Sequence, residues 1–372
     1  MTDLPHGTAS GEATGTSRPE RLSEAVSGRE IEALLITRLV NIEYLTGFTG
    51  SNAACLVGPG IRTFLTDFRY ADRAAAELDG WNVEIVSGEW LAGLARQVSQ
   101  TVTGGRVGIE DEHVTVRTAR LLSEKLTGGA SLADEGGMVE HLRRSKDAAE
   151  VSAIAAAAGL TDSIYAELFE RGLAGRTEAD VAGYAVGRMR ERGAEPSFTP
   201  IVAAGPNGAS PHAEPGPREI GEGELVVIDM GSKLDGYCSD CTRTVATGDL
   251  DDQAREIYEV TLKANESALD AVAAGRSAAE IDAVARDLIV EAGYGEQFGH
   301  GLGHGVGMEI HEAPRLGPRS QDTLIEGDVV TVEPGIYISG RHGVRIEDLV
   351  VVSAEGISRN LSSHPKGLTV VN

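Results

Sequence analysis

The chain of 372 residues has few cysteines, few basic residues relative to acidic ones and no long hydrophobic run. Three cysteines, an odd number in a chain this long, favour a reducing compartment over a disulfide framework, so we expect a cytoplasmic protein. The 33 basic and 57 acidic residues give a net charge of -24, which repels phosphate backbones and anionic lipid head groups. The most apolar stretch, 153–160, is far shorter than the roughly 20 residues that span a bilayer. Neither nucleic acid nor a membrane is expected as a partner.

The N-terminal segment lacks the features of a signal peptide, because it has no basic start and no apolar run. Small and turn-forming residues predict a disordered tail over residues 1–20. The remaining chain exceeds the roughly 250–300 residues at which a single core stops growing, so two domains are expected. Residues 21–143 mix short apolar runs with helical patterns and predict a small α/β domain, and residues 144–372 form the second domain.

Within the second domain the same order of elements occurs twice. Two helices followed by strands are predicted in each half, with the helices at about 147–171, 177–192, 252–274 and 277–292. The second helix of each half begins with a predicted capping box, TEAD at 177–180 and SAAE at 277–280. This repetition indicates a duplicated α/β unit. Two matched halves that share one sheet would leave a cleft at their junction, where ligands usually bind.

Four acidic residues lie in apolar, strand-like surroundings: Asp229, Asp240, Glu333 and Glu347. A buried carboxylate is costly unless it is paired or binds a metal. Either aspartate alone is more often a turn or cap residue, but four such acids are hard to explain as a solvated face. Two divalent cations carry four positive charges, which four carboxylates neutralise, and such a pair activates water. The acids therefore indicate a dinuclear metal site.

The segment FGHGLGHGVGMEIHE, residues 298–312, contains three of the nine histidines among five glycines. Glycine allows the backbone to pass close to a bound group, and imidazole is a common metal ligand. An oxygen-rich site with one nitrogen suits manganese, iron, cobalt or zinc better than calcium. Cys238 and Cys241 form a Cys-x-x-Cys pair, but no second pair exists and Asp240 lies between them, which disfavours a zinc or redox site there.

Five motifs in order resemble the pita-bread metallopeptidases, the group that contains aminopeptidase P, prolidase and methionine aminopeptidase. The motifs are IVAAGPNGASPHAEP, VIDMGSKLDGYCSDCTRT, HGLGHGVGMEIHE, VEPGIYI and GVRIEDLV, within residues 147–372. NIEYLTGFTGSNAACLV and FLTDFRYADRAA resemble the N-terminal domain of the aminopeptidase P and prolidase branch. The resemblance implies a mixed α/β (α+β) protein. A C-terminal pita-bread domain with duplicated α/β halves would follow a smaller creatinase-like N-terminal α/β domain.

The resemblance also implies roles for individual residues. Asp229 would bind one metal, Asp240 and Glu347 would bridge both, and His304 and Glu333 would hold the other. Two divalent ions per subunit are expected, Mn²⁺ first, with Co²⁺, Zn²⁺ or Fe²⁺ as alternatives. Catalytic roles fall on His212, His311 and Glu333, and substrate-binding or supporting roles on His300, Arg345, Tyr337 and Arg315. One departure from the family pattern is Ala213, where an aromatic residue often follows the histidine.

The implied function is a metal-dependent exopeptidase that hydrolyses the Xaa-Pro bond at the N-terminus of proline-containing peptides, as aminopeptidase P does. Prolidase, which cleaves only dipeptides, is the alternative, because Arg315 occupies a place where some prolidases carry an arginine for the free carboxylate. A non-catalytic peptide-binding module and a metal-free creatinase-like hydrolase are disfavoured, since both lack ligands that this chain retains. The resemblance further implies a homodimer.

Overall fold

The computed structural model describes residues 16–371, which form two compact units. The first unit ends at Leu142 and the second begins at Arg143. None of the helices within residues 16–371 is long and apolar enough to cross a bilayer.

The first unit is built on a six-stranded mixed sheet. Its strands are β1 Ala33–Ile36, β2 Ala53–Gly58, β3 Ile61–Thr66, β4 Asn82–Ile85, β5 Arg106–Ile109 and β6 Ser131–Asp134. Its helices are α1 Arg18–Ser27, α2 Leu39–Thr46, α3 Ala71–Glu77, α4 Trp90–Thr101 and α5 Val116–Lys125, while α6, Met138–Arg144, runs across the boundary. The strand order is β4-β3-β2-β1-β5-β6. Alternating apolar residues such as Leu35 and Leu56 pack against Leu94 and Val98 of α4, which confirms the predicted α/β class.

Helix α1 corrects the predicted tail. The tail was expected to extend to residue 20, but the helix begins at Arg18, where Ser17 N donates to the Glu20 carboxylate at 2.8 Å. Leu22 and Val26, one helical turn apart, are fully buried and hold the helix on the unit. Residues 1–15 of the predicted tail lie outside the described residues.

The second unit contains the four predicted helices. They are α7 Ala148–Arg171, α8 Glu178–Glu191, α9 Asp252–Ala271 and α10 Ala278–Glu291. Asp147 caps α7 by accepting hydrogen bonds from Ala149 N and Glu150 N, both 2.9 Å long. Helix α9 ends three residues earlier than expected because Val272 adopts an extended conformation, with φ -70° and ψ 120°.

Only one of the two predicted capping boxes is present. In α8, Asp180 N donates to Thr177 Oγ1 at 3.0 Å and Thr177 N to the Asp180 carboxylate at 3.4 Å. The box predicted at 277–280 is wrong, because the Ser277 side chain caps no amide. The first amide of the helix is satisfied by a neighbouring loop, since Ala278 N donates to Asp322 O at 2.9 Å.

The strands of the second unit form several small sheets. They are β7 Glu195–Pro196, β8 Ile201–Ala204, β9 Leu225–Met230, β10 Ser232–Leu234, β11 Tyr237–Cys238, β12 Cys241–Ala246, β13 Gly303–Gly305, β14 Glu312–Leu316, β15 Val329–Val332, β16 Gly335–Ile338, β17 His342–Arg345, β18 Asp348–Ser353 and β19 Gly356–Asn360. Two of these sheets, of three and five strands, have the orders β12-β9-β8 and β14-β13-β15-β18-β19. One half packs α7 and α8 on the first sheet, and the other packs α9 and α10 on the second.

The expectation of one sheet shared by both halves is wrong for the described residues. The halves meet where β12 runs beside residues 345–347, but side chains mediate much of the contact. Thr244 Oγ1 donates to Arg345 O at 2.8 Å and accepts from Arg345 N at 3.1 Å, while Glu347 N donates to Thr242 O at 3.1 Å. These bonds take the place of a continuous backbone ladder, and the junction remains a cleft.

Candidate metal centre and active site

The five predicted metal ligands come from strand ends on both sides of this cleft. Asp229 lies in β9, Asp240 precedes β12, His304 lies in β13, Glu333 follows β15 and Glu347 separates β17 from β18. The antiparallel pairing of β9 with β12 places Thr242 opposite Asp229, which brings the two aspartates to the same end of the sheet. The apolar runs around Glu333 and Glu347 are interrupted at the acids themselves, so both carboxylates project from breaks between strands.

The predicted ligands converge on one point. Asp240, His304 and Glu347 each offer a ligand atom within 4.8 Å of the others. His304 Nε2 lies 3.6 Å from Asp240 Oδ2 and 3.3 Å from Glu333 Oε1. Asp229 lines the same cavity. The fold therefore brings together all five residues, although they are spread over more than a hundred positions of sequence.

The carboxylates of this cluster are buried and repel one another, which raises the pKa of three of them. Burial, followed by the charge of Glu347, raises the pKa of Asp240 well above its ordinary value. Burial and the charge of Glu333 do the same to the pKa of Glu347. Burial raises the pKa of Glu333 to about 7, although Arg345 opposes the shift. Acids crowded in this way need a compensating cation to ionise together.

The donor atoms fit divalent metal ions. His304 Nδ1 lies 3.0 Å from Gly305 O, and because a carbonyl can only accept, Nδ1 carries the proton. Burial lowers the pKa of His304 to about 4, so the ring is neutral and Nε2 presents a lone pair to the carboxylates. Oδ1 of Asp229 and Oδ1 of Asp240 are buried without a hydrogen-bond partner among residues 16–371. Acceptors that face one another in a buried cluster are satisfied by cations.

Two threonines that sequence reasoning missed hold the ligands in place. Thr242 Oγ1 donates to Glu347 Oε2 at 2.8 Å. Thr331 Oγ1 donates to Glu333 Oε1 at 3.1 Å and accepts from His304 N at 3.0 Å. Each threonine lies two positions from a predicted ligand, the spacing that shares one face of a strand. A hydroxyl residue two positions from a predicted ligand in a strand-like run was the sequence pattern that could have identified them.

Arg345 and Tyr337 support the cluster through hydrogen bonds. Arg345 Nη2 donates to Asp229 Oδ2 at 2.7 Å, and Nη1 donates to Tyr337 Oη at 2.8 Å. His300 Nδ1 lies 2.8 Å from Gly301 O and is therefore protonated, which leaves Nε2 to accept from Tyr337 Oη at 3.0 Å. Burial raises the pKa of Tyr337 to about 12, so the phenol keeps this proton. The chain of bonds orients Asp229, one of the two ligands with an unpartnered oxygen.

A cavity of about 1040 Å³ opens in front of the cluster. Of the residues predicted to contact or support the substrate, His212, His300, His311, Arg315 and Arg345 line it, while Tyr337 does not. The rings of His311 and His304 have centroids 4.4 Å apart. Phe198, Ile201 and Pro215 add apolar surface. Ala213, which replaces the frequent aromatic residue, also forms part of this wall.

The two cysteines beside Asp240 are buried free thiols. Cys238 Sγ lies 3.7 Å from Met308 O, and Cys241 Sγ lies 3.8 Å from Glu347 O. Both thiols donate to backbone carbonyls.

The sequence profiles of two known families match the chain. The profile of metallopeptidase family M24 matches residues 152–354. The profile of the creatinase/prolidase N-terminal domain matches residues 18–145. The first match lies within the second compact unit, and the second match lies almost entirely within the first.

Individual relatives span nearly the whole chain. An uncharacterized peptidase, YqhT of Bacillus subtilis, is 37% identical over 353 residues, which cover 95% of this chain and 99% of the relative. A solved structure of an Xaa-Pro dipeptidase from Bacillus anthracis is 36% identical with a TM-score of 0.91, covering 95% of this chain and 99% of that one. The crystal structure of an X-Pro aminopeptidase from Thermotoga maritima is 34% identical with a TM-score of 0.86, covering 94% of this chain and 100% of that one.

Proposed function

Because the chain belongs to metallopeptidase family M24 and has its pita-bread fold, we propose that it is an Xaa-Pro dipeptidase, a prolidase, with two divalent metal ions. The sequence favoured aminopeptidase P activity, with prolidase as the alternative. The proposal reverses this preference. The solved structure with a TM-score of 0.91 is that of an Xaa-Pro dipeptidase, and this supports the reversal.

The observation that carries the proposal is the position of Arg315. In the pairing of β13 with β14, Arg315 lies directly opposite the metal-ligand candidate His304. Its side chain is exposed on the cavity wall, and its guanidinium has no hydrogen bond or ion pair within residues 16–371. In an Xaa-Pro dipeptide the free carboxylate belongs to the residue that follows the scissile bond. A cation beside the metal cluster is placed to pair with that carboxylate, whereas a longer peptide offers only a neutral amide there.

Asp229, Asp240, His304, Glu333 and Glu347 would hold the metal ions, with Mn²⁺ the first choice for an oxygen-rich set with one nitrogen. When bound, such ions activate water and polarise the scissile carbonyl. Glu333 would accept a proton from the attacking water and deliver it to the leaving proline nitrogen. His311 and His212, exposed on the wall, donate to the developing negative charge on the carbonyl oxygen. The apolar side chains of the wall receive the proline ring.

Aminopeptidase activity is the second candidate, because the cavity of about 1040 Å³ has room for a peptide longer than two residues. The relative named X-Pro aminopeptidase supports it as well. A homodimer and a cytoplasmic location belong to the same proposal, on the grounds of the family resemblance and the cysteine count.

The test compares three substrates with the metal-loaded protein: an Xaa-Pro dipeptide, its C-terminal amide and an Xaa-Pro-Yaa tripeptide. A prolidase hydrolyses the dipeptide fastest and loses kcat/KM on the amide. Arg315→Ala should raise KM for the dipeptide and make the variant indifferent to amidation. Arg319→Ala removes another exposed arginine from the same wall and serves as the matched control. A faster tripeptide reaction, with no effect of Arg315→Ala, would establish the aminopeptidase instead.

A further inference from the structure

We propose that Arg143 and Lys146 are positioning residues. Through the carboxylate of Glu312, they hold the His311 imidazole in the orientation that contacts the substrate. The inference rests on the proposed function, since that function assigns His311 to the substrate. The starting observation is that the His311 imidazole is exposed and forms no hydrogen bond within residues 16–371. Its ring contacts His304, but its orientation otherwise depends on the backbone that carries it.

Glu312 fixes that backbone through a buried ion cluster. Arg143 Nη2 pairs with Glu312 Oε1 and lies 2.9 Å from Glu309 Oε2, while Lys146 Nζ lies 3.1 Å from Glu312 Oε2. Glu309 N donates to the same carboxylate at 3.0 Å. The Arg143 and Lys146 side chains are 2% and 1% exposed, and that of Glu312 is 7% exposed. Charges this well buried interact strongly and tolerate little displacement.

The two cations are themselves held rigidly. Lys146 N donates to Gly327 O at 2.9 Å, and Ser145 Oγ donates to Glu326 O at 2.9 Å. Arg144, between them, forms an ion pair of 2.9 Å with the buried Asp328. Residues 143–146 are therefore held in place by their bonds to residues 326–328.

The loop that leads to His311 is packed tightly against Glu312. A Cβ atom on Gly307 would lie 2.5 Å from Glu312 Oε2, so only glycine allows this close approach. Cys238 N donates to Gly307 O at 2.8 Å and Lys233 Nζ to Met308 O at 2.9 Å, which ties the other side of the loop to β10 and β11. With both sides held, the direction of the His311 side chain is set by the Glu312 cluster.

Loss of the Arg143 charge should move the loop, and a displacement of about 1 Å near a reacting group can cost about a hundredfold in rate. We expect Arg143→Met to lower kcat about tenfold or more on an Xaa-Pro dipeptide, with KM and metal content unchanged. Arg143→Lys should restore most of the rate, since an ammonium group can still pair with Glu312. Arg144→Met is the matched control, because Arg144 belongs to the same segment and pairs with a buried acid that does not adjoin His311. That control should lower stability and leave kcat close to the parent value.

A double-mutant cycle separates positioning from general destabilisation. If Arg143 acts through His311, adding Arg143→Met to His311→Ala should lower kcat little further. Rate losses that multiply in the double variant, or equal kcat losses in Arg143→Met and Arg144→Met, would overturn the proposal.

A second measurement needs no substrate and so stays informative if the proposed activity is wrong. The His311 side-chain NMR resonance, assigned with His311→Ala, should shift or broaden in Arg143→Met and keep its position in Arg144→Met. An unchanged resonance in Arg143→Met refutes the positioning role whatever the enzyme hydrolyses, whereas inactivity of the parent on every Xaa-Pro substrate counts against the proposed function alone.

Discussion

Replacing Asp240 by asparagine should have opposite effects on stability with and without metal. In the metal-free protein the Asp240 and Glu347 carboxylates place oxygens within 4.8 Å of each other, and Asp240 Oδ1 has no partner among residues 16–371. Removal of one charge relieves this repulsion. An asparagine N–H can also donate to the lone pair of His304 Nε2, now 3.6 Å from Asp240 Oδ2. With metal bound, the same substitution removes a ligand.

The magnitude follows from Coulomb's law. At an effective dielectric constant of about 20, two unit charges about 4.8 Å apart repel by about 3 kcal/mol. Burial, followed by the neighbouring acids, raises the pKa of Asp240, so a fraction of the parent molecules carry a protonated Asp240 and escape this repulsion. We therefore expect the substitution to raise the free energy of unfolding of the metal-free protein by about 1–3 kcal/mol. For domains of this size, about 1 kcal/mol shifts Tm by roughly 2–4 °C. The metal-free variant should therefore melt several degrees above the metal-free parent.

Calorimetry of both proteins, first in chelator and then with excess Mn²⁺, tests whether the variant is the more stable protein without metal and the less stable one with metal. The parent should gain about 2.7 kcal/mol from a ligand present at about a hundred times its Kd, and the variant should gain much less. Asp348→Asn is the matched control, because Asp348 is equally buried but paired with Arg243 at 2.9 Å and Lys366 at 2.6 Å. Breaking such a pair costs about 3–5 kcal/mol under both conditions. If Asp240→Asn in chelator lost as much stability as the control, Asp240 would be a structural partner and not a metal ligand.

Three further results are expected. Chelation should abolish peptidase activity and added Mn²⁺ should restore it, measured with metal content on one sample; full activity with no bound metal would contradict the dinuclear site. His311→Ala should keep its metal but lose roughly a hundredfold or more in kcat, whereas His304→Ala should lose metal, and the reverse pattern would exchange the two roles. Burial alone would raise the pKa of Glu312, but Lys146 and Arg143 outweigh it and hold the pKa below its ordinary value. The stability that separates the parent from Glu312→Gln should therefore be complete above about pH 4.3, the unfolded pKa, and decline as pH falls towards the folded pKa, and denaturant unfolding that shows a constant difference to acid pH would contradict this.

Local signals in the sequence determined much of the second unit. Asp147 and Thr177 cap helices at the expected positions because a side-chain cap and the amides it serves lie within four residues of each other. The acids that converge in the cleft were recognisable because a charge in an apolar, strand-like run needs a compensating partner wherever the strand packs. These inferences required no knowledge of which strands are neighbours.

Tertiary structure alone decided how those residues are held. Thr242 is joined to Glu347 across 105 positions and Arg143 to Glu312 across 169, and no local pattern specifies such pairs. Ser277 carries the same local pattern as Thr177, yet its side chain caps no amide. Helix propensities and side-chain caps depend on residues within one short segment of the chain. The direction of a buried charge depends instead on the field and hydrogen bonds of every segment packed around it, and those exist only once the chain has folded.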